Sequence, residues 1–181
     1  TANLDLEKQA NQLLGEDPDG LLQYENEELP RFRRFLWYGA YGEGWALYTE
    51  ALGKELGLYT DPYQYFGTLG AEMHRAVRLV VDTGLHSKGW TREEAIQYSL
   101  DNEAESEASI ISEIERYMAN PGQALSYKIG QLKIRELREK AESQLGDKFD
   151  IRQFHNQVLE TGAVPLQLLE EKIDRWVESG K

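Results

Sequence analysis

Helix start and stop signals punctuate this sequence from end to end, and strand signals are weak beside them. Asp61-Pro62 sets an N-cap acceptor before a proline at the first helical position, where the missing N–H costs nothing. Thr91-Arg92-Glu93-Glu94 is a capping box, with Thr91 as N-cap and Glu94 as its return partner. Asp150 and Pro165 open two further helices. Gly57, Gly146 and Gly162 close others, and Pro121-Gly122 divides two. Between these marks apolar residues recur every three or four positions. The spacing predicts helices over 43–56, from 61 towards Asp82, and from Thr91 with Ile96 and Leu100 on its apolar face. It predicts others over 105–118 (Ile110, Ile111, Ile114, Met118) and 123–145 (Ala124, Tyr127, Leu132, Ile134, Leu137, Ala141). The last two run over 150–159 and from Pro165 to about Val177. A short helix over 4–14 and an Asp17-Pro18-Asp19-Gly20 turn precede them all. Helices joined by short loops indicate an all-α, multi-helix bundle.

The chemistry open to such a bundle is bounded by composition. A length of 181 residues is one domain, or one and a small satellite. With 32 acidic against 20 basic residues the net charge is −12. That argues against a nucleic-acid partner, which needs clustered Lys and Arg, and against an anionic membrane surface. No apolar run reaches the roughly 18 residues of a membrane span, and no signal peptide is visible. The sequence begins with Thr1 rather than Met, compatible with a trimmed chain or a piece of a longer one. There is no cysteine, so a metal must be held by His, Asp or Glu. The three histidines, His74, His86 and His155, form no HExxH motif and no i, i+4 pair.

Three stretches carry candidate chemistry. In Tyr41-Gly42-Glu43-Gly44-Trp45-Ala46-Leu47-Tyr48-Thr49-Glu50, Glu43 stands in the expected first turn of a helix between two glycines. Glycine inside a helix costs about 1 kcal/mol against alanine, so its use there points to something packed against the backbone. Glu43 and Glu50 share a face with Leu47 between them. Glu43 is then either a solvated glutamate favoured by the helix dipole, or a partnered, metal-ligating carboxylate. In the second stretch, His74, Arg78, Val81 and Leu85 lie along one helical face. Arg78 and Asp82 are an i, i+4 pair. Arg75 and Arg78 can grip a carboxylate or serve as structural ion-pair partners. His86, at a helix end, is either a bystander or a donor to a developing oxyanion. In the third, Tyr127 stands one turn into a helix near Gly130, either half in the core or donating across a cleft.

Together these stretches resemble the bacterial "domain of unknown function 885" family. The matching strings are Leu29-Pro-Arg-Phe-Arg-Arg34, Glu43-Gly-Trp-Ala-Leu-Tyr-Thr-Glu50, Arg75-Ala-Val-Arg-Leu-Val-Val-Asp-Thr-Gly-Leu-His86 with Gly89-Trp90, Glu115-Arg-Tyr117, Pro121-Gly-Gln-Ala-Leu-Ser-Tyr-Lys-Ile-Gly130 and Gly162-Ala-Val-Pro-Leu166. The resemblance runs from about Asn26 to Trp176 and looks like the C-terminal portion of much longer proteins. It implies a helical, gluzincin-like zinc metallopeptidase domain over 26–181, with a divergent helix and turn over 1–25. It implies zinc in the complete family protein, with Glu43 as third metal ligand. Tyr127 and His86 would stabilise the tetrahedral intermediate. Arg75, Arg78 and Glu50 would contact substrate. An exported bacterial protein, periplasmic or extracellular, is also implied.

The family's His-Glu…Pro-Gly-His segment has no counterpart upstream of Glu43. Pro18-Asp19-Gly20-Leu21-Leu22-Gln23 stands where Pro-Gly-His-His-Leu-Gln is expected. One carboxylate lacks the affinity of three converging ligands, so this chain by itself is expected to bind no zinc and hydrolyse nothing. Two readings follow: a domain of a peptidase that needs ligands supplied elsewhere, or a non-catalytic peptide-binding or structural helical module. Expected partners are a peptide, a second copy of the chain, or a missing N-terminal part.

Overall fold

The computed structural model describes residues 30–181. A 3-10 turn over Arg31–Phe35 leads into seven α-helices: α1 (Gly39–Glu55), α2 (Pro62–Ser87), α3 (Arg92–Asn102), α4 (Glu107–Ala119), α5 (Gln123–Leu145), α6 (Ile151–Leu159) and α7 (Leu166–Gly180). Among the described residues there is no strand, so the chain is an all-α, multi-helix bundle. The helix expected over 4–14, the turn at 17–20 and the region 1–25 lie outside the described residues.

The punctuation works as its chemistry requires. Asp61 and Thr91 each close a capping box, with Gln64 and Glu94 as the returning side chains. Asp150 accepts from the amides of Arg152 and Gln153. At the end of α1, Leu58 N–H reaches Gly53 O and Gly57 N–H reaches Lys54 O, with Gly57 at φ +68°. This is the Schellman arrangement that a C′ glycine permits. Two boundaries differ from expectation by four residues or more. α1 opens at Gly39, its first turn held by the Tyr38 carbonyl, which puts Glu43 in the second turn. α2 runs past Asp82 to Ser87, where Lys88 caps it and Gly89, at φ +72°, turns the chain so that the Trp90 ring lies over Gly84.

α5 is the spine. Its first turn contributes Ala124 to a core formed with α2, α3 and α4 around Val77, Val81, Ala95, Ile96, Ile110, Ile114 and Tyr117. Its later turns contribute Ile134, Leu137, Ala141 and Leu145 to a core shared with α1, α6 and α7. Three expected core residues face outward: Leu100, Met118 and Leu132. Leu132 lies two residues, or about 200°, from Ile134. Tyr117, three residues from Ile114, takes the place expected of Met118, and Ser99 that of Leu100.

The two cores meet where α1 crosses α5. A Cβ on Gly44 would lie 2.4 Å from Gly130 Cα, and one on Gly130 would lie 1.8 Å from the Ala40 carbonyl oxygen. The close packing inferred from Gly44 is therefore real, and its partner is a second glycine. Gly67 and Gly70 on α2, by contrast, have open space where a Cβ would stand. Gly130→Ala is expected to destabilise the chain by about 3 kcal/mol, the upper end for overpacking. Gly67→Ala and Gly70→Ala should each stabilise it by up to about 1 kcal/mol through helix propensity. Urea unfolding followed by circular dichroism checks both signs. Equal effects at all three positions would contradict the crossing.

Candidate functional site

The glycine crossing brings the second turn of α1 alongside the start of α5. Glu43, half-buried, accepts from Gln123 Nε2 at 3.4 Å. Gln123 Oε1 accepts from Arg116 Nη1 at 2.7 Å. Arg116 in turn grips Glu113 through Nε at 3.0 Å and Nη2 at 2.8 Å. Glu113 Oε2 also accepts from Arg78 Nη2 and from the Tyr117 hydroxyl, each at 2.7 Å. His74 Nε2 stands 3.9 Å from the same oxygen, and its Nδ1 contacts Glu103. One polar chain thus runs from α1 through α5 and α4 to α2, and on to Glu103 beyond α3.

Glu113 is its hub. Arg116 foremost, with Tyr117 and Arg78, holds its carboxyl down to about 2 against burial that pulls the other way. Burial, then the Glu113 carboxylate, pushes the Tyr117 phenol up. These residues escaped the sequence reading. The signal was present: Glu113, Arg116 and Tyr117 stand at i, i+3 and i+4 on one helix face. Spacing did not reveal that Arg78 would join them from another helix.

The expected site residues fall as follows. Arg78 is buried and held at two points, its Nε donating to the Tyr117 hydroxyl at 2.8 Å and its Nη2 to Glu113. The intrahelical Arg78–Asp82 pair does not form, because Arg78 is taken by α4. Asp82 instead accepts from the Gly122 amide at 3.1–3.2 Å, fixing the start of α5. Arg75, one residue ahead of Ala76, has no carboxylate within 4 Å among the described residues. Its Nη1 reaches the Ala71 carbonyl at 3.4 Å, and its Nε is buried with no partner. The Tyr127 ring lies 5.0 Å from the Arg78 guanidinium and 6.0 Å from that of Arg75, and its hydroxyl has no partner among the described residues. His86 donates from Nε2 to the Tyr117 carbonyl at 3.0 Å, which fixes its tautomer when neutral and leaves Nδ1 open. Glu50 is exposed, and only its backbone carbonyl is engaged, by the Tyr59 hydroxyl. Glu43, Arg75, Arg78 and Tyr127 therefore gather around the starts of α1 and α5 and the middle of α2. His86 meets the same α4–α5 junction, while Glu50 stands apart from them.

Two concavities lie away from these residues. One of about 400 Å³ is lined by Tyr48, Arg135 and Arg138, and an adjoining one of about 240 Å³ by Tyr59, Tyr65 and Arg135. Glu43, Arg75 and Tyr127 line neither. His155 is fully buried against Trp45 and Tyr48, with the Tyr48 hydroxyl 2.9 Å from Nε2. Burial pushes that phenol up to about 12.

The match with known proteins decides the family. A family model described as "Bacterial protein of unknown function (DUF885)" covers residues 19–173. The chain belongs to the DUF885 family. A crystal structure from Colwellia psychrerythraea, of a protein named "putative lipoprotein", shares this DUF885 fold at a TM-score of 0.85 and 52% identity, over 89% of this chain and 28% of that one. A "putative lipoprotein of unknown function" from Shewanella oneidensis matches at a TM-score of 0.77 and 26% identity, over 92% of this chain and 31% of that one. The DUF885 chain in hand thus spans under a third of either. No curated protein matches it.

The described residues do not fit a zinc centre. No group of three or more His, Asp or Glu converges as a metal site among them. The side-chain contact of Glu43 is an amide, and each histidine is engaged on another element.

The depressed Glu113 carboxyl has a stability consequence of definite sign. Its folded value of about 2 lies below the ordinary 4.5, so folding favours the ionised form. That contribution is complete above about pH 4.5 and is lost as pH falls towards 2. Glu113→Gln should therefore flatten the dependence of unfolding free energy on pH within that window, as measured by urea titration. An unchanged slope would remove Glu113 from its place as hub.

Proposed function

We propose that this chain is one wall of a peptide-binding cleft in a longer cell-envelope protein. Peptide hydrolysis would belong to the complete family protein, and carboxylate recognition to this part of it. The observation that carries the reading is the contrast between two neighbouring arginines. Arg78 has its charge paired with Glu113 and its Nε bonded to Tyr117. Arg75, beside the same Tyr127 ring, has no carboxylate and a buried Nε without a partner. A half-buried guanidinium in that state costs free energy unless an anion reaches it, and a planar carboxylate matches its fork. The Tyr127 ring steadies the cation and its free hydroxyl offers one donor nearby. Glu43 adds a negative end to the wall, suited to an amide N–H or ammonium group.

The lipoprotein names of the two solved relatives support the envelope setting. Zinc would need ligands from beyond the described residues, with Glu43 as this chain's contribution. That same lack of convergence around Glu43 favours a second reading, a peptide-binding module with no catalysis of its own.

Isothermal titration with short peptides, each as free acid and as C-terminal amide, tests the reading. A charge-assisted hydrogen bond is worth about 1.5–3 kcal/mol, so the acid should bind at least about tenfold more tightly. Arg75→Met should erase that difference without lowering the unfolding midpoint, since it removes a buried donor that has no partner among the described residues. Equal affinity for acid and amide would sink the carboxylate role. Peptide turnover on adding zinc to this chain alone would instead overturn the division of labour.

A further inference from the structure

α2 carries one apolar seam along its whole length, and only half of it is covered. Tyr63, Phe66, Gly70, Met73, Val77 and Val81 succeed one another at steps of three and four, so they share a face. Val77 and Val81 are buried against α3 and α4. The amino-terminal half of the same seam is bare: Tyr63 is 84% exposed, Phe66 73% and Met73 52%. Leu69, on its flank, is exposed as well. This overhang spans residues 62–75, roughly 20 Å of helix. Its opposite side is occupied, since Glu72 pairs with Lys128 and Gln131 of α5.

The glycines sharpen the point. Gly39, Gly42, Gly44, Gly53, Gly84 and Gly130 each have a neighbour that a Cβ would strike. Gly67 and Gly70 lie inside the amino-terminal half of α2 and have none within 4 Å among the described residues. Mid-helix glycine weakens a helix, and two of them beside exposed aromatic residues make a flat apolar strip open to close approach.

We infer that the overhanging half of α2, residues 62–75, is the docking face for the remainder of a full-length family protein. The occupant is named by length and continuity. The solved relatives keep this fold over about nine-tenths of the chain, yet it accounts for only 28% and 31% of theirs. More than two thirds of such a protein lies outside this bundle and is there to cover it. The bare half of α2 extends a seam already buried in the core, so covering it continues that core. The inference does not rest on the peptide reading, since the seam and the Arg75 side of α2 are different faces.

Hydroxyl-radical footprinting tests this on unmodified proteins, with the 181-residue chain beside the full-length relative of 52% identity. Tyr63, Phe66 and Met73 should oxidise in the present chain at rates near those of free peptides. The aligned helix of the full-length relative should oxidise about tenfold more slowly, as in the water-excluded centre of an interface. Fast oxidation in both would mean that the face stays in water, and would overturn the inference. Slow oxidation in both would also overturn it, assigning the cover to a second copy or to residues 1–29. Sedimentation velocity then tells those two apart.

Discussion

The approach of Gly44 to Gly130 is the contact on which the remaining geometry rests. With side chains at either position the two helices would stand further apart, and the polar links between them would open. As it is, Gln123 reaches Glu43, and the fully buried Gln131 donates to the Leu47 carbonyl at 3.1 Å. Gln131 is satisfied on every side, by Leu47, by Glu72 at 2.7 Å and by Lys128 at 2.8 Å. A buried amide stabilises only when its partners are in reach, and here the glycine pair determines that they are. Both glycines weaken their own helices locally. The bundle offsets this through the apolar core that closes beside the crossing, around Tyr41, Trp45, Tyr48 and Ile134.

A second layer of order lies at the α2–α4–α5 junction. Three donors converge on one oxygen of Glu113, and each comes from a side chain that other contacts also hold. Removing any one would leave a half-buried charge short of a partner, so the cluster behaves as a unit. Its stiffness gives meaning to what is left over. Arg75 shares an aromatic neighbour with Arg78 but not its carboxylate, and among the described residues its guanidinium is bonded only to the Ala71 carbonyl.

Membership of DUF885 sets this order beside larger relatives without naming its chemistry. The fold is kept between relatives as distant as 26% identity, while the chain in hand accounts for under a third of their length. Glu43, the residue that the family resemblance marks for zinc, is held by an amide among the described residues. The exposed half of the α2 seam and the unpartnered Nε of Arg75 lie on different faces of that helix.

Sequence by itself determined the helices, because a helix boundary is set by groups a few residues apart. Asp61, Thr91, Asp150, Gly57 and Gly146 all act at the ends expected of them, and the 123–145 helix has the bounds its flanking glycines dictate. The core was legible where spacing alone decides burial, as at Ile110, Ile114, Ile134, Leu137 and Ala141. It was not legible at Leu100, Met118 and Leu132, where the choice depends on which neighbour a face meets. The site divides in the same way. Glu43, Arg75, Arg78 and Tyr127 stood out as types, but their partners, Glu113 foremost, did not. Arg78 is equally suited to Asp82 one turn away and to Glu113 on another helix, and only packing chooses between them. Tertiary structure made that choice, separated Arg75 from Arg78 and matched Gly44 with Gly130, because long-range contacts carry no signature in local spacing.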